Sequence, residues 1–224
     1  MSATPWLLAI DTATSTVIVA AGTPAGALIE TRTFAAGHRH GSHLLPTIEG
    51  LARDRGLGIT DLAGVIVGIG PGAFTGLRVG LATAKTLAHA LGLPIVGLST
   101  GEALLAAAAG DPGVTRLALP AGLHDRVVVR AGEAPRLETG EAGAPDAWSD
   151  AIAVDLDGRA PETALERGRE AVRALPATLL RLGAERLAAG ATDDAERLVP
   201  EYVSLPRGVT AEPAGGVAWS RDPR

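Results

Sequence analysis

The first hundred residues alternate between short apolar runs and stretches with helical spacing. WLLAID (6–11) and TVIVAAG (16–22) are apolar and β-branched, and the short polar TATS joins them, which predicts a hairpin. ALIETRTF (27–34) alternates as a third strand would. In the next segment Leu44, Leu45, Ile48, Leu51 and Ala52 recur on one helical face, so a helix is expected over 43–55. Ser42 or His43 is its expected cap, with Pro46 in the first turn, where proline is tolerated. AGVIVGI (63–69) reads as a buried strand. A long helix follows from Ala73 to Leu91, closed by Gly92 and Pro94. PIVGL is a strand, and STGEALLAAAAG is a helix capped by Ser99 or Thr100. The order β-β-β-α-β-α-β-α predicts an α/β fold, a mixed sheet with helices on its faces, over residues 1–110.

Residues 111–224 are less legible. VTRLAL, DRVVVRAG and AIAVDLDG read as strands. PETALERGREAV and PATLLRLGAERLAAG read as helices, and the tail from Gly208 has little periodicity. This second half is read as a divergent second lobe with a loose end.

On the long helix, a projection at about 100° per residue gathers Phe74, Leu77, Leu81, Ala84, Ala88 and Leu91 into a core stripe. A stripe of Gly76, Gly80, Thr83 and Leu87 lies beside it. Glycine inside a helix costs roughly 1 kcal/mol against alanine. Two glycines four apart on one face therefore imply the close approach of another backbone. That backbone belongs either to this chain or to another subunit, and the pattern does not choose.

Composition narrows the chemistry. There is no cysteine, which excludes disulfides, thiolate zinc sites and cysteine catalysis. One lysine, Lys85, stands beside 19 arginines. Residues 1–110 carry six acids and six bases, and 111–224 carry nineteen and fourteen, so the net charge of −5 falls on the second half. Neither half supplies the clustered cations of non-specific RNA binding. No apolar run is long enough to span a membrane. The N-terminus lacks a basic signal-peptide region, so a cytoplasmic protein is expected.

Gly68-Ile-Gly70-Pro-Gly72-Ala73 fits a dinucleotide fingerprint only loosely. Three strands precede it, Pro71 removes an N–H, and the next strand lacks a ribose-binding acid. A general anion site at the helix start, helped by Arg78, is physically open. His38, His40 and His43 could hold a metal but lack orienting carboxylates, so a solvated helix entry is the default. Asp155 and Asp157 suit a strand-ending turn as well as a cation or acid–base pair. Ser149, Asp150 and His124 lack a nucleophile elbow.

LLAIDTATSTVIVAAG, HLLPTIEGL, GIGPGAFTGLRVGLATAKTLAHALGLPIVGLST and PEYVSLPR together resemble the TsaB family, densely over 6–105 and thinly beyond 110. The resemblance implies the actin-like/Hsp70-like ATPase-superfamily fold, with two lobes each holding a mixed sheet flanked by helices. It implies a subunit that is itself non-catalytic, acting in the machinery that installs threonylcarbamoyl on the adenosine beside the tRNA anticodon. Its partners would be the transferase TsaD and the ATPase TsaE, with tRNA engaged indirectly and a homodimer formed in isolation. No cofactor is implied for the chain alone, and ATP or ADP only at the TsaD interface.

The partner surface implied is Leu45, Ile48, Gly76, Arg78, Gly80, Thr83 and Leu87. Asp11, Thr12, Gly70, Gly72 and Thr75 would be a vestigial nucleotide or anion site. The positions that match the two metal-binding histidines of TsaD-like proteins are Thr100 and Leu104, neither of which replaces imidazole. Asp11 is expected to cap its own turn. An Asp-Ala-Arg-type segment of many members is gone from LALPAGLHDRVVV (117–129), and the spacing from Pro200 and Tyr202 to Arg207 is altered. The alternative reading is a small ATPase or kinase of the same superfamily that uses Asp11 and the Gly70–Gly72 turn.

Overall fold

The computed structural model describes residues 4–36, 40–139, 145–203, 209–211 and 217–219. The predicted hairpin is present: β1 (Trp6–Asp11) pairs antiparallel with β2 (Thr16–Gly22), and β3 (Leu28–Ala35) adds to β2. After α1 (His40–Asp54) the chain enters β4 (Leu62–Gly70), α2 (Phe74–Leu91), β5 (Ile95–Ser99) and α3 (Thr100–Ala107). Strands β4 and β5 run parallel to β1, so the sheet order is β3-β2-β1-β4-β5. The central strands are buried on both faces, which is why they read as unbroken apolar runs. Trp6, Leu8 and Ile10 meet α1 and α2 through Leu44, Ile48, Leu51, Leu81 and Ala84, while Leu7 and Ala9 face the other way.

Two local expectations shift. The first helix begins at His40, so Pro46 stands in its second turn rather than its first. Thr47, next to it, donates its hydroxyl to the His43 carbonyl at 2.7 Å. Gly92 closes α2 in the left-handed conformation, with its N–H on the His89 and Ala88 carbonyls. Ser99 caps α3 by accepting from the Glu102 amide.

In the second half, β6 (Arg116–Pro120), β7 (Arg126–Arg130), β8 (Arg136–Glu138) and β9 (Ala151–Ala153) form a sheet ordered β8-β7-β6-β9. The two expected C-terminal helices are one, α4 (Glu162–Ala188), with the buried Pro176 inside it. Proline removes one rung of the helical ladder. The burial of Leu175, Leu179 and Leu180 on that side outweighs the loss. Two glycines mark where α4 comes closest to each sheet. A Cβ at Gly168 would lie 1.9 Å from the Ala153 carbonyl of β9, and one at Gly183 would lie 2.4 Å from Ile66 of β4.

One core cluster joins Leu7, Ala9 and Ile66 of the first sheet, Leu104 of α3, Leu117 and Ile152 of the second sheet, and Leu175 and Leu179 of α4. A division near residue 110 thus separates the sheets but not the core. A short pair, β10 (Val209–Ala211) with β11 (Val217–Trp219), lies in the tail that read as aperiodic.

Candidate functional site

The β1–β2 turn and the Gly-Pro-Gly turn converge at the C-terminal ends of β1 and β4, where ligands bind in open α/β sheets. Here the converging groups satisfy one another. Asp11 is fully buried and accepts the Ala13 amide at 2.9 Å, the expected self-capped turn. Its second oxygen accepts the Thr100 hydroxyl at 2.6 Å. That hydroxyl also accepts the Gly70 amide at 3.3 Å. Burial without a cation pushes the Asp11 carboxyl up to about 6, although the hydrogen bonds from Thr100 and Ala13 oppose the rise. Thr12 donates to the Gly76 carbonyl at 2.8 Å. Ala13 accepts the Ala73 amide at 2.7 Å, and a Cβ on Gly72 would stand 2.1 Å from that same carbonyl.

The glycines therefore serve the hairpin. A Cβ on Gly80 would lie 2.2 Å from the Thr12 hydroxyl, so what approaches this helix face is the Thr12 side chain of the chain's own β1–β2 turn. Gly76 and Gly80 are buried, and Ile48 lies in the core at 2% exposure; these three leave the expected partner surface. Leu45 (46% exposed) and Arg78 remain outside, with Thr83 and Leu87 half-buried. Arg78 sits over the Phe74 ring at 5.2 Å.

The five residues of the expected vestigial anion site also fare unevenly. Asp11 and Gly70 bond Thr100, Thr12 bonds Gly76 and Gly72 packs on Ala13, while Thr75 is exposed on α2. On the far side of the glycine turn a cleft of about 520 Å³ opens toward the second sheet. Phe74, Pro120, Leu123, Val127, Tyr202 and Val203 line it, and its titratable side chains are His124, Asp125 and Tyr202. Among the described residues no arginine or lysine lines it, and Arg78 is turned to Phe74. A superfamily nucleotide needs a phosphate cradle with cationic or metal support. Among the described residues that line the cleft, none supplies such a cation.

Thr100 and Leu104, the positions expected to match the transferase histidines, both have structural roles. Thr100 is the partner of Asp11, and Leu104 is wholly buried in the core. This Asp11–Thr100 bond was not readable in advance, because the two residues lie 89 positions apart. Asp155 accepts the Ser15 amide at 2.6 Å and the Ser15 hydroxyl, tying the second sheet to the hairpin turn, while Asp157 is exposed. Asp150 binds Thr115 and Arg116, a structural use that leaves no catalytic set. Exposed His43 rests near Phe34 with ring centroids 6.0 Å apart. His38 and Arg207 lie outside the described residues. Among the described residues no three histidine, aspartate or glutamate side chains gather around a possible metal position, and no helix is long and apolar enough to cross a membrane.

Residues 34–162 match the family described as TsaD, tRNA N6-adenosine threonylcarbamoyltransferase. An uncharacterised protein of Mycobacterium leprae is 33% identical over 162 residues, 71% of this chain and 44% of that protein. The tRNA threonylcarbamoyladenosine biosynthesis protein TsaB of Bacillus subtilis is 35% identical over 100 residues, 45% of this chain and 43% of that one. The chain spans about half the length of the curated relatives it matches. YeaZ from Pseudomonas aeruginosa superposes with a TM-score of 0.61 at 23% identity, over 88% of this chain and 99% of that structure, a likeness of fold. The two-sheet α/β architecture is the one those YeaZ-type structures share. With the family match spanning more than half its residues, the chain belongs to the TsaD-related group of proteins, as a member of the TsaB family.

Proposed function

We propose that this chain is a non-catalytic subunit of the tRNA threonylcarbamoyladenosine machinery, one that binds a TsaD-type transferase and supports its activity. The observation that carries the reading is the Thr100–Asp11 hydrogen bond, 2.6 Å long and fully buried. It occupies the place where a transferase relative would present a metal-binding imidazole, and it closes the end of β1 from inside. A protein retained in this family with that place filled by its own side chains acts through its surface.

The surface proposed is the outer face of α2 with the neighbouring part of α1: Arg78, Ala82, Thr86 and His89, with Leu45 beside them, are all exposed. ATP or ADP, on this reading, binds only where the partner completes a site, and a homodimer of the isolated chain uses the same face. The chain works in the cytoplasm, with TsaE-type ATPase and tRNA reached through the assembly.

The test is co-purification with the TsaD- and TsaE-type proteins of the same organism, followed by a tRNA modification assay with each component omitted in turn. Arg78→Glu combined with Leu45→Asp is expected to abolish co-purification and lower modification while the melting temperature stays near wild type. Full modification without this chain sinks the proposal. So does ATP turnover by the isolated protein that vanishes in Asp11→Ala, the outcome expected of an ATPase.

A further inference from the structure

Lys85 is the one lysine among twenty cationic side chains, and it bonds backbone carbonyls. Its ammonium donates to the carbonyl of Leu198 at 3.1 Å and to that of Glu196 at 3.3 Å, more than a hundred residues further on. Among the described residues it has no carboxylate partner within ion-pair distance. Its charge is met by backbone dipoles.

Those carbonyls end a single helical turn. The Leu198 and Arg197 amides both donate to the Asp194 carbonyl, and the Glu196 amide donates to the Asp194 carboxylate at 2.8 Å. One turn is too short to hold itself in water, since nucleation fixes several residues for one hydrogen bond. Its carbonyl end, left open, favours a cation. Asp194 caps the amide end and Lys85 the carbonyl end.

The turn is the middle of a strap, 193–203, that runs along the β5 side of the first sheet. Before it, Asp193 donates its amide to Ile95, receives the Gly97 amide on its carboxylate, and pairs with Arg186. Within it, Leu198 lies so close to Gly97 that a Cβ there would meet it at 2.6 Å. After it, Glu201 donates its amide to Ile69 and receives the Ser99 hydroxyl, and Tyr202 rests on Phe74 with ring centroids 5.1 Å apart. Between these end anchors, Lys85 supplies the polar fastening from α2. Two carbonyls of one turn suit a compact ammonium whose donors can be aimed separately, whereas a planar guanidinium presents them as a fixed fork.

We propose that Lys85 is a charge-dependent clamp on residues 194–199, and that acylation of its ε-amine by an activated acyl donor, an acyl phosphate or thioester, releases that turn. In this reaction the neutral ε-nitrogen attacks the acyl carbon and an amide C–N bond forms. The donor's C–O or C–S bond breaks, its electron pair leaves on phosphate or thiolate, and the protons lost from nitrogen pass to solvent. The amide keeps one N–H, carries no charge, and no longer caps two carbonyls. Val199, already 65% exposed, belongs to this turn, and Tyr202 just beyond it rests on Phe74 at the start of α2, so release alters the surface beside α2. That last consequence rests on the proposed partner-binding role; the clamp itself does not.

The experiment is hydrogen exchange read by mass spectrometry on the isolated full chain. It compares wild type, Lys85→Gln, Lys85→Arg, and wild type acetylated while folded with acetic anhydride. Exchange of amides in 194–199 is expected to rise at least tenfold in Lys85→Gln and in the acetylated chain, and severalfold in Lys85→Arg. Peptides from α4 and β1 should stay protected, which separates release of the strap from loss of fold. The clamp is overturned if 194–199 exchanges within twofold of wild type in both Lys85→Gln and the acetylated chain. Its dependence on a point charge is overturned if Lys85→Arg matches wild type. The modification is overturned if the folded chain resists acetylation at Lys85 under conditions that label the unfolded chain completely. Partner binding plays no part in these readouts, so they stand whether or not the co-purification succeeds.

Discussion

Replacing Asp11 by asparagine tests the account of the closed site most directly. The Asp11 carboxyl lies fully inside the protein with two donors and no cation, and burial is the largest influence on it. Its folded value of about 6 lies above the ordinary 3.8. The folded state therefore holds the proton more tightly than the unfolded chain does. The stability this gives is fully present below about 3.8 and is lost as pH rises to about 6. At about 1.4 kcal/mol per unit, the gap of roughly two units is worth about 3 kcal/mol. Asparagine cannot ionise. Its Oδ1 still accepts the Ala13 amide, and its Nδ2 can donate to the Thr100 oxygen. That reversal leaves the Thr100 proton to find another acceptor, a fixed loss of about 1 kcal/mol that does not vary with pH.

The informative quantity is thus the change with pH of the stability difference between Asp11→Asn and wild type. From pH 4 to pH 7.5 that difference should move by about 2–3 kcal/mol in favour of asparagine, since at pH 4 part of the gap is already spent, measured by urea unfolding at each pH. In thermal melts it corresponds to about 4–12 °C for a chain of this size. Every other titrating group is common to both proteins and cancels. A difference that stays flat, or that moves toward wild type as pH rises, would mean that the ionised carboxylate is stabilised rather than strained. The description of the site as a self-satisfied, cation-free closure would then be wrong.

Gly80→Ala should destabilise the protein by about 1–3 kcal/mol, since its Cβ meets the Thr12 hydroxyl at 2.2 Å, and Thr12→Ala should recover part of the loss in urea titrations of the double variant. Gly183→Ala, which drives a methyl into Ile66, is expected to lower the melting temperature comparably, whereas Gly190→Ala, with nothing near its Cβ but a positive φ of 69°, should cost only about 1 kcal/mol. Asp155→Ala removes both acceptors of Ser15 and should cost about 1–3 kcal/mol, with Asp155→Asn recovering much of it by retaining one acceptor.

The elements of the first hundred residues were legible because their signals are local. Strands buried on both faces need unbroken β-branched runs, as in WLLAID and TVIVAAG, and helix ends need the glycine and serine found at Gly92 and Ser99. The second half was harder for the same reason. The division of α4 at Pro176 looked secure from propensity, yet Leu175, Leu179 and Leu180 bury themselves across both sheets, and packing overrode the proline. Strand β9 lies in the run AIAVDLDG that read as a strand, although only its first three residues join the sheet.

The sequence by itself determined that two glycines on one helix face require a close neighbour, because a missing Cβ in a helix interior has a cost that close packing offsets. That the close group is a side chain, that of Thr12, instead of a backbone, only the tertiary structure decided. Thr12 lies 68 residues before Gly80, and only pairing of β1 with β4 carries the hairpin turn onto α2. The same holds for Asp11 and Thr100 and for Lys85 and Leu198: each residue type is visible in the chain, but the partner that fixes its role is set by sheet order and helix packing, which span distances that no local pattern encodes.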